Sequence, residues 1–226
     1  MDTINWGIIG AGDVAEVKSG PAFNKVKNSK LLAVMRRNTA KAKDFAERHH
    51  VPFWYDSIDD LLANKDINAV YIATPPSTHL EIAKKCLAAK KRIYLEKPMT
   101  LNATEAKELN KIVTENDTIV VAHYRRINFK NGVQFRGIWN FNANKRETKD
   151  ECKIYGTKGT ITFSFYGEKV MLSSDEKSEV FNFTNPKNIQ EPMIEATVNY
   201  FLKKTKNPCT IKEGLEVMKV IDSFIG

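Results

Sequence analysis

The chain has 226 residues, of which 42% are hydrophobic and 27% charged, with a formal net charge of +8, three cysteines and four histidines. That length allows one large or two small domains around a substantial core, and the balance is that of a soluble globular protein. No apolar run is long enough for a membrane span, and Met1-Asp2-Thr3 is not the basic start of a signal peptide, so a cytoplasmic enzyme is expected.

Cys86, Cys152 and Cys209 are widely spaced and form no CxxC, which argues for reduced thiols and against a disulfide framework or a metal site. The positive charge is scattered in pairs such as Lys84/Lys85 and Lys203/Lys204, the pattern of solvated helix faces. No helix-turn-helix, zinc-finger or RNA-binding signature accompanies it, so nucleic acid is not an expected partner.

In chain order, an apolar run from Ile4 predicts a buried strand that ends in Gly10-Ala11-Gly12, with Ala15 at the third residue beyond. This is a GxGxxA spacing. Gly10 suits a tight strand-to-helix turn, Gly12 close approach of the backbone to a pyrophosphate, and Ala15 close helix packing; Asp13 and Val14 open the helix whose N–H groups face that phosphate. The helix is expected to be interrupted at Gly20-Pro21.

Strands follow at 31–35, 53–55, 69–73, 92–95 and 118–122, alternating with helices at 39–49, 57–64, 78–89 and 104–116. Alternation of this kind predicts an α/β, doubly wound parallel sheet of the Rossmann type over residues 1–124. Beyond it, strands at 133–141, 151–155, 160–165 and 169–173 with short glycine turns predict an antiparallel meander. Helices at 192–204 and 212–224 then complete a shortened α+β domain over 125–226.

Several residues carry chemistry by position. Arg36 and Arg37 follow the second strand, where an NAD enzyme offers a carboxylate to the ribose 2′-OH; two guanidinium groups suit a 2′-phosphate, so NADP(H) is preferred over NAD(H). Thr74 and Pro75 follow the central strand at the carboxyl edge where ligands sit in such sheets. Ser77 or Thr78 can cap the next helix, which leaves His79 either in the cofactor loop or in a structural role. Glu96-Lys97-Pro98 follows another strand, with Lys97 projecting towards a bound nicotinamide.

These stretches together resemble the Gfo/Idh/MocA family of glucose-fructose oxidoreductase and inositol dehydrogenase. They are GIIGAGDVA (7–15), AVMRRN (33–38), YIATPPSTH (71–79), YLEKPM (94–99) and GTKGTITF (156–163). The wording resembles a dihydrodiol-dehydrogenase-like subgroup. The resemblance implies hydride transfer between a nicotinamide and a sugar, cyclitol or dihydrodiol hydroxyl or carbonyl, with Lys97 as acid/base and Glu96 anchoring the turn or the cofactor ribose. It also implies a small-molecule substrate and a homo-oligomer formed through the second sheet. Tyr124 and Arg125 would enter the substrate cleft, or with His123 serve interdomain packing.

One departure accompanies the resemblance. After Arg126 the chain passes directly to what resembles a late strand, about a hundred residues short of a usual member, as though one internal block were deleted at Arg126/Ile127. The block would carry an Asp and His, or a Tyr, that share proton handling with Lys97. An impaired NADP-binding module with a binding or assembly role is therefore the alternative expectation.

Overall fold

The computed structural model describes residues 2–12, 15–115, 120–122 and 149–225. Expectations for Asp13, Val14, His123, Tyr124, Arg125, the junction at Arg126 and the strand at 133–141 lie outside them.

Strand β1 (Ile4–Ile9) is buried along both faces because its apolar run is nearly continuous, as a central parallel strand requires. Ile4, Trp6 and Ile8 face one core. Ile9 faces the other, and Gly7 lies against Leu61, where a Cβ would come within 2.9 Å of a methyl carbon.

The remaining strands of this sheet are β2 (Ser29–Met35), β3 (Phe53–Tyr55), β4 (Ala69–Ile72), β5 (Arg92–Leu95) and β6 (Val120–Ala122). All pair in parallel, in the order β3-β2-β1-β4-β5-β6. The order reverses between β1 and β4, which opens a crevice at their carboxyl ends.

Helix α1 (Gly20–Phe23) is preceded by a wide π-type turn over Ala15–Ser19. Gly20-Pro21 therefore begins a helical segment instead of interrupting one, because proline fits the first turn, where no N–H is needed. Helices α2 (Thr39–Arg48) and α3 (Ile58–Ala63) start at Asn38 and Ser57, whose side chains accept from the Lys41 and Asp60 amides. Helices α4 (His79–Ala88) and α5 (Ala103–Glu115) complete the crossovers.

The chain forms two compact units, Met1–Asn128 with Asn188–Gly226, and Phe129–Lys187. The expected division gave all of 125–226 to a second domain. Instead α6 (Glu191–Phe201) and α7 (Ile211–Ile225) belong with the parallel sheet. Ile194, Val198 and Phe201 of α6 pack beside Trp6, Phe23, Tyr71 and Tyr94 on one face of that sheet. Leu215 and Met218 of α7 join the core on the other, and Asp222 Oδ2 accepts the Ala103 amide at 2.8 Å, capping α5. Both faces of the sheet are thus covered.

The other unit is an antiparallel meander of β7 (Cys152–Gly156), β8 (Gly159–Phe163), β9 (Lys169–Ser173) and β10 (Ser178–Asn182), in the order β10-β9-β8-β7. The register places Cys152, Ile154, Ile161, Phe163, Val170, Leu172 and Phe181 on one face. That face is apolar apart from Glu179, and Ile154, Ile161 and Phe181 are exposed.

Candidate active site

The Gly10–Gly12 loop leaves β1 at the crevice. Gly10 has φ +93°, and a Cβ there would lie 2.9 Å from the Ala73 carbonyl group, so a glycine is required by the neighbouring loop itself. The Gly10 and Ala11 amides donate to the Met35 carbonyl at 3.0 and 3.3 Å, fastening the loop to β2. Gly12 differs. A Cβ at Gly12 would meet nothing within 4 Å, so bare backbone faces open space where the fingerprint puts a pyrophosphate. These residues fit a dinucleotide.

Arg36 closes one side of that loop. Its Nη1 donates to the Ala11 carbonyl at 3.1 Å, while Arg37 beside it is exposed. Below the loop, Glu16 forms ion pairs with Arg48 and with His49, the latter at 2.7 Å. The hydrogen bond from Arg48, and then that from His49, outweigh burial and lower the Glu16 carboxyl from its ordinary 4.5 to about 2.

Next to the glycine loop, Thr74 is half-buried and Pro75 exposed, in the loop that leads to a single 3₁₀ turn and α4. His79 is fully buried. Its Nε2 lies 2.7 Å from the Thr74 carbonyl oxygen and its Nδ1 3.0 and 3.2 Å from those of Pro98 and Met99. Both ring nitrogens face these carbonyl oxygens, which places the buried ring between the two loops. Thr78, with no side-chain bond to the α4 amides, instead donates to the Pro75 carbonyl and lies 2.8 Å from the Thr74 hydroxyl.

Lys97 is exposed in the turn that follows β5, joined to Pro98 by a cis peptide bond. Glu96 beside it is only 7% exposed and points inward. Its Oε1 accepts from Tyr71 and Gln190, and its Oε2 from the Lys97 amide. The geometry assigns it to the turn. Burial, and then the Glu96 carboxylate, raise the Tyr71 hydroxyl far above its ordinary range, so it stays a donor.

Tyr71 and Gln190 were not among the residues singled out by motif. A tyrosine within the otherwise aliphatic strand Ala69–Ile72 signals a buried hydroxyl in need of a partner. Gln190 carries no such signal, for it lies 94 positions from Glu96.

A parallel sheet with a glycine loop, an arginine and a lysine turn along one carboxyl edge is the architecture of a nucleotide-dependent oxidoreductase. Residues 4–124 match the family described as oxidoreductase family, NAD-binding Rossmann fold, and the chain belongs to this Gfo/Idh/MocA family. Oxidoreductase P35 of Formosa agariphila is 37% identical, the match spanning 99% of this chain and 98% of that protein. Bovine trans-1,2-dihydrobenzene-1,2-diol dehydrogenase is 32% identical over 107 residues, 47% of this chain and 32% of the enzyme. The fold is also that of a 3-ketoreductase from Actinomadura kijaniata, solved with TDP-benzene and NADP: TM-score 0.74 at 15% identity, covering 98% of this chain and 96% of the other.

The Formosa alignment runs over 318 residues against 226 in this chain, so at least 92 aligned positions of the relative face a gap. The internal shortening expected from the motifs is therefore real in extent. A match across nearly the whole of a protein named an oxidoreductase does not favour a cofactor-binding remnant. Among the described residues no helix is long and apolar enough to cross a membrane.

Proposed function

We propose that this protein is an NADP(H)-dependent oxidoreductase acting on a hydroxyl or carbonyl carbon of a sugar, cyclitol or dihydrodiol. The carrying observation is that Arg36 is held on the glycine loop, with Arg37 exposed beside it and Lys97 exposed on the same sheet edge. Gly10 and Gly12, with Asp13 and Val14, hold the pyrophosphate; Arg36 and Arg37 hold the 2′-phosphate; Thr74 and Pro75 line the crevice against the cofactor. When bound, the nicotinamide supplies or accepts the hydride. In the reductive direction the Lys97 ammonium gives its proton to the carbonyl oxygen, and in the oxidative direction its neutral amine takes the proton from the hydroxyl. Tyr124 and Arg125 are the residues assigned to substrate binding.

The protein works in the cytoplasm as a homo-oligomer, a second copy covering the apolar face of β7 to β10. Titration with NADPH and NADH by ligand fluorescence, followed by a panel of sugars, cyclitols and dihydrodiols, tests the catalytic reading. NADPH binding with turnover that Lys97→Ala abolishes supports it. Tighter NADH binding overturns the cofactor assignment, and unchanged turnover in Lys97→Ala overturns the role of Lys97.

A further inference from the structure

The Glu96 carboxylate is held by donors from three separate parts of the chain. Tyr71 OH and Gln190 Nε2 reach Oε1 at 2.9 and 2.6 Å, and the Lys97 amide reaches Oε2 at 2.7 Å. Gln190 is 6% exposed, and among the described residues its own buried Oε1 has no hydrogen-bond partner. An unmet buried acceptor costs about 1–3 kcal/mol, so an apolar residue of equal length would serve packing better. Helix α6 does not need the glutamine either. Gln190 makes no side-chain cap bond there, and Glu191 and Pro192 already suit a first turn. What remains for Gln190 is its hydrogen bonding to the Glu96–Tyr71 pair, foremost its donation to Glu96.

We propose that Gln190 is a positioning residue for Lys97, acting through Glu96. By fixing one carboxylate oxygen, Gln190 and Tyr71 orient the other onto the Lys97 amide, and that amide sets the direction in which the Lys97 side chain leaves the turn. Bonds to a carboxylate are the strong ones available for this. His79 holds the opposite end of the same turn at Pro98 and Met99. Lys97 thus sits between two buried polar anchors, and the one supplied by Gln190 comes from the start of α6. A reacting group displaced by about 1 Å loses about a hundredfold in rate, which is the scale at which such an anchor acts.

This inference rests on Lys97 standing beside bound nicotinamide, and the test separates the two. The full chain is acetylated with limiting acetic anhydride, with and without saturating NADPH, and labelling of Lys97 is read by peptide mass spectrometry. In the native protein NADPH is expected to slow Lys97 labelling about fivefold or more. In Gln190→Met that protection should fall below about twofold while NADPH affinity stays within about threefold, the signature of a misdirected side chain and not of a lost site. Glu96→Gln should lose protection as well. Combining it with Gln190→Glu should restore it, because the exchanged pair remakes the hydrogen bond with donor and acceptor reversed. A structural role alone would not be rescued in this way. Full protection in Gln190→Met, or no rescue by the exchanged pair, overturns the proposal and leaves Lys97 in place. NADPH binding with no protection in the native protein overturns the Lys97 reading and this inference with it. Should Gln190→Met fail to fold, the comparison of Glu96→Gln with the exchanged pair decides alone.

Discussion

His79 Nε2 lies 2.7 Å from the carbonyl oxygen of Thr74, so the first residue of α4 reaches back to the loop that precedes it. The same ring meets Pro98 and Met99 through Nδ1. One buried imidazole therefore packs between the loop after β4 and the lysine turn after β5, two segments that the sheet itself pairs only as far as Ile72 and Leu95.

Replacing His79 by leucine removes the ring's N–H donor while keeping much of the volume, and leaves the carbonyl it serves without that donor. The expected loss is about 1–3 kcal/mol of stability in urea unfolding. NADPH affinity should fall together with it, since both loops border the crevice. A variant with native stability and weakened binding would instead place His79 in contact with the cofactor.

The two glycines of the fingerprint separate folding from binding. Gly10→Ala sets a Cβ 2.8 Å from Thr74 Cγ2 and 2.9 Å from Ala73, at a positive φ, and should cost about 1–3 kcal/mol. Gly12→Ala places its methyl in open space, so stability should stay within about 0.5 kcal/mol. NADPH binding should nevertheless weaken more than tenfold in Gly12→Ala, measured by fluorescence titration of the folded variant.

The parallel half was legible because its strands are short, apolar and bounded by turn residues: 53–55 and 92–95 coincide with β3 and β5, and in the meander 169–173 coincides with β9. Strand β10 was not, since Ser178-Glu179-Val180-Phe181-Asn182 sets Glu179 and Phe181 on one face and so shows no polar-apolar alternation. The allegiance of α6 and α7 was hidden for a different reason. Amphipathic spacing announces a buried stripe without naming the surface that buries it, and here that surface lies on a sheet completed some seventy residues earlier. In the site, Gly10, Gly12, Arg36 and Lys97 could be found by motif. Gln190 could not, because a long-range hydrogen bond leaves no local spacing.

Arg36 and Arg37 should contribute unequally. Arg36 also braces the loop through Ala11, so Arg36→Ala should weaken both NADPH and NADH. Arg37, exposed and free of that duty, should affect NADPH alone. Losing one charge-assisted phosphate contact is worth about 1.5–3 kcal/mol, or roughly tenfold to a hundredfold in Kd. Equal losses for both cofactors in Arg37→Ala would remove the 2′-phosphate assignment.

Acid stability should depend on Glu16. Its carboxyl is lowered to about 2 in the folded protein from an ordinary 4.5, by hydrogen bonding to Arg48 and His49. A depressed carboxyl contributes stability that is complete above the unfolded value and is lost as pH falls from about 4.5 to about 2. Because Glu16 and Arg48 are partly exposed, the contribution is about 1 kcal/mol or less. Glu16→Gln should therefore lower stability at pH 7 slightly and flatten this part of the curve of unfolding midpoint against pH. Parallel curves for the two proteins between pH 5 and 3 would show that the ion pairs contribute nothing.

The meander offers the test of assembly. Ile154, Ile161, Phe163, Val170, Leu172 and Phe181 share one face, and Ile154 is 52% and Phe181 45% exposed in the single chain. Contiguous apolar patches of this kind mark association surfaces. A second copy is the occupant that fits, because the antiparallel sheet is self-complementary under a twofold axis. Ile161 sits on β8, an inner strand of the four, so Ile161→Asp would bury an unpaired carboxylate at the centre of the paired sheets. Sedimentation at micromolar concentration should show the native chain as a dimer or larger and Ile161→Asp as a folded monomer with its circular dichroism intact. NADPH binding should survive in that monomer, since Gly10, Gly12, Arg36 and Lys97 all belong to the parallel unit. A native chain that sediments as a monomer across the concentration range removes the assembly, whatever the variant does.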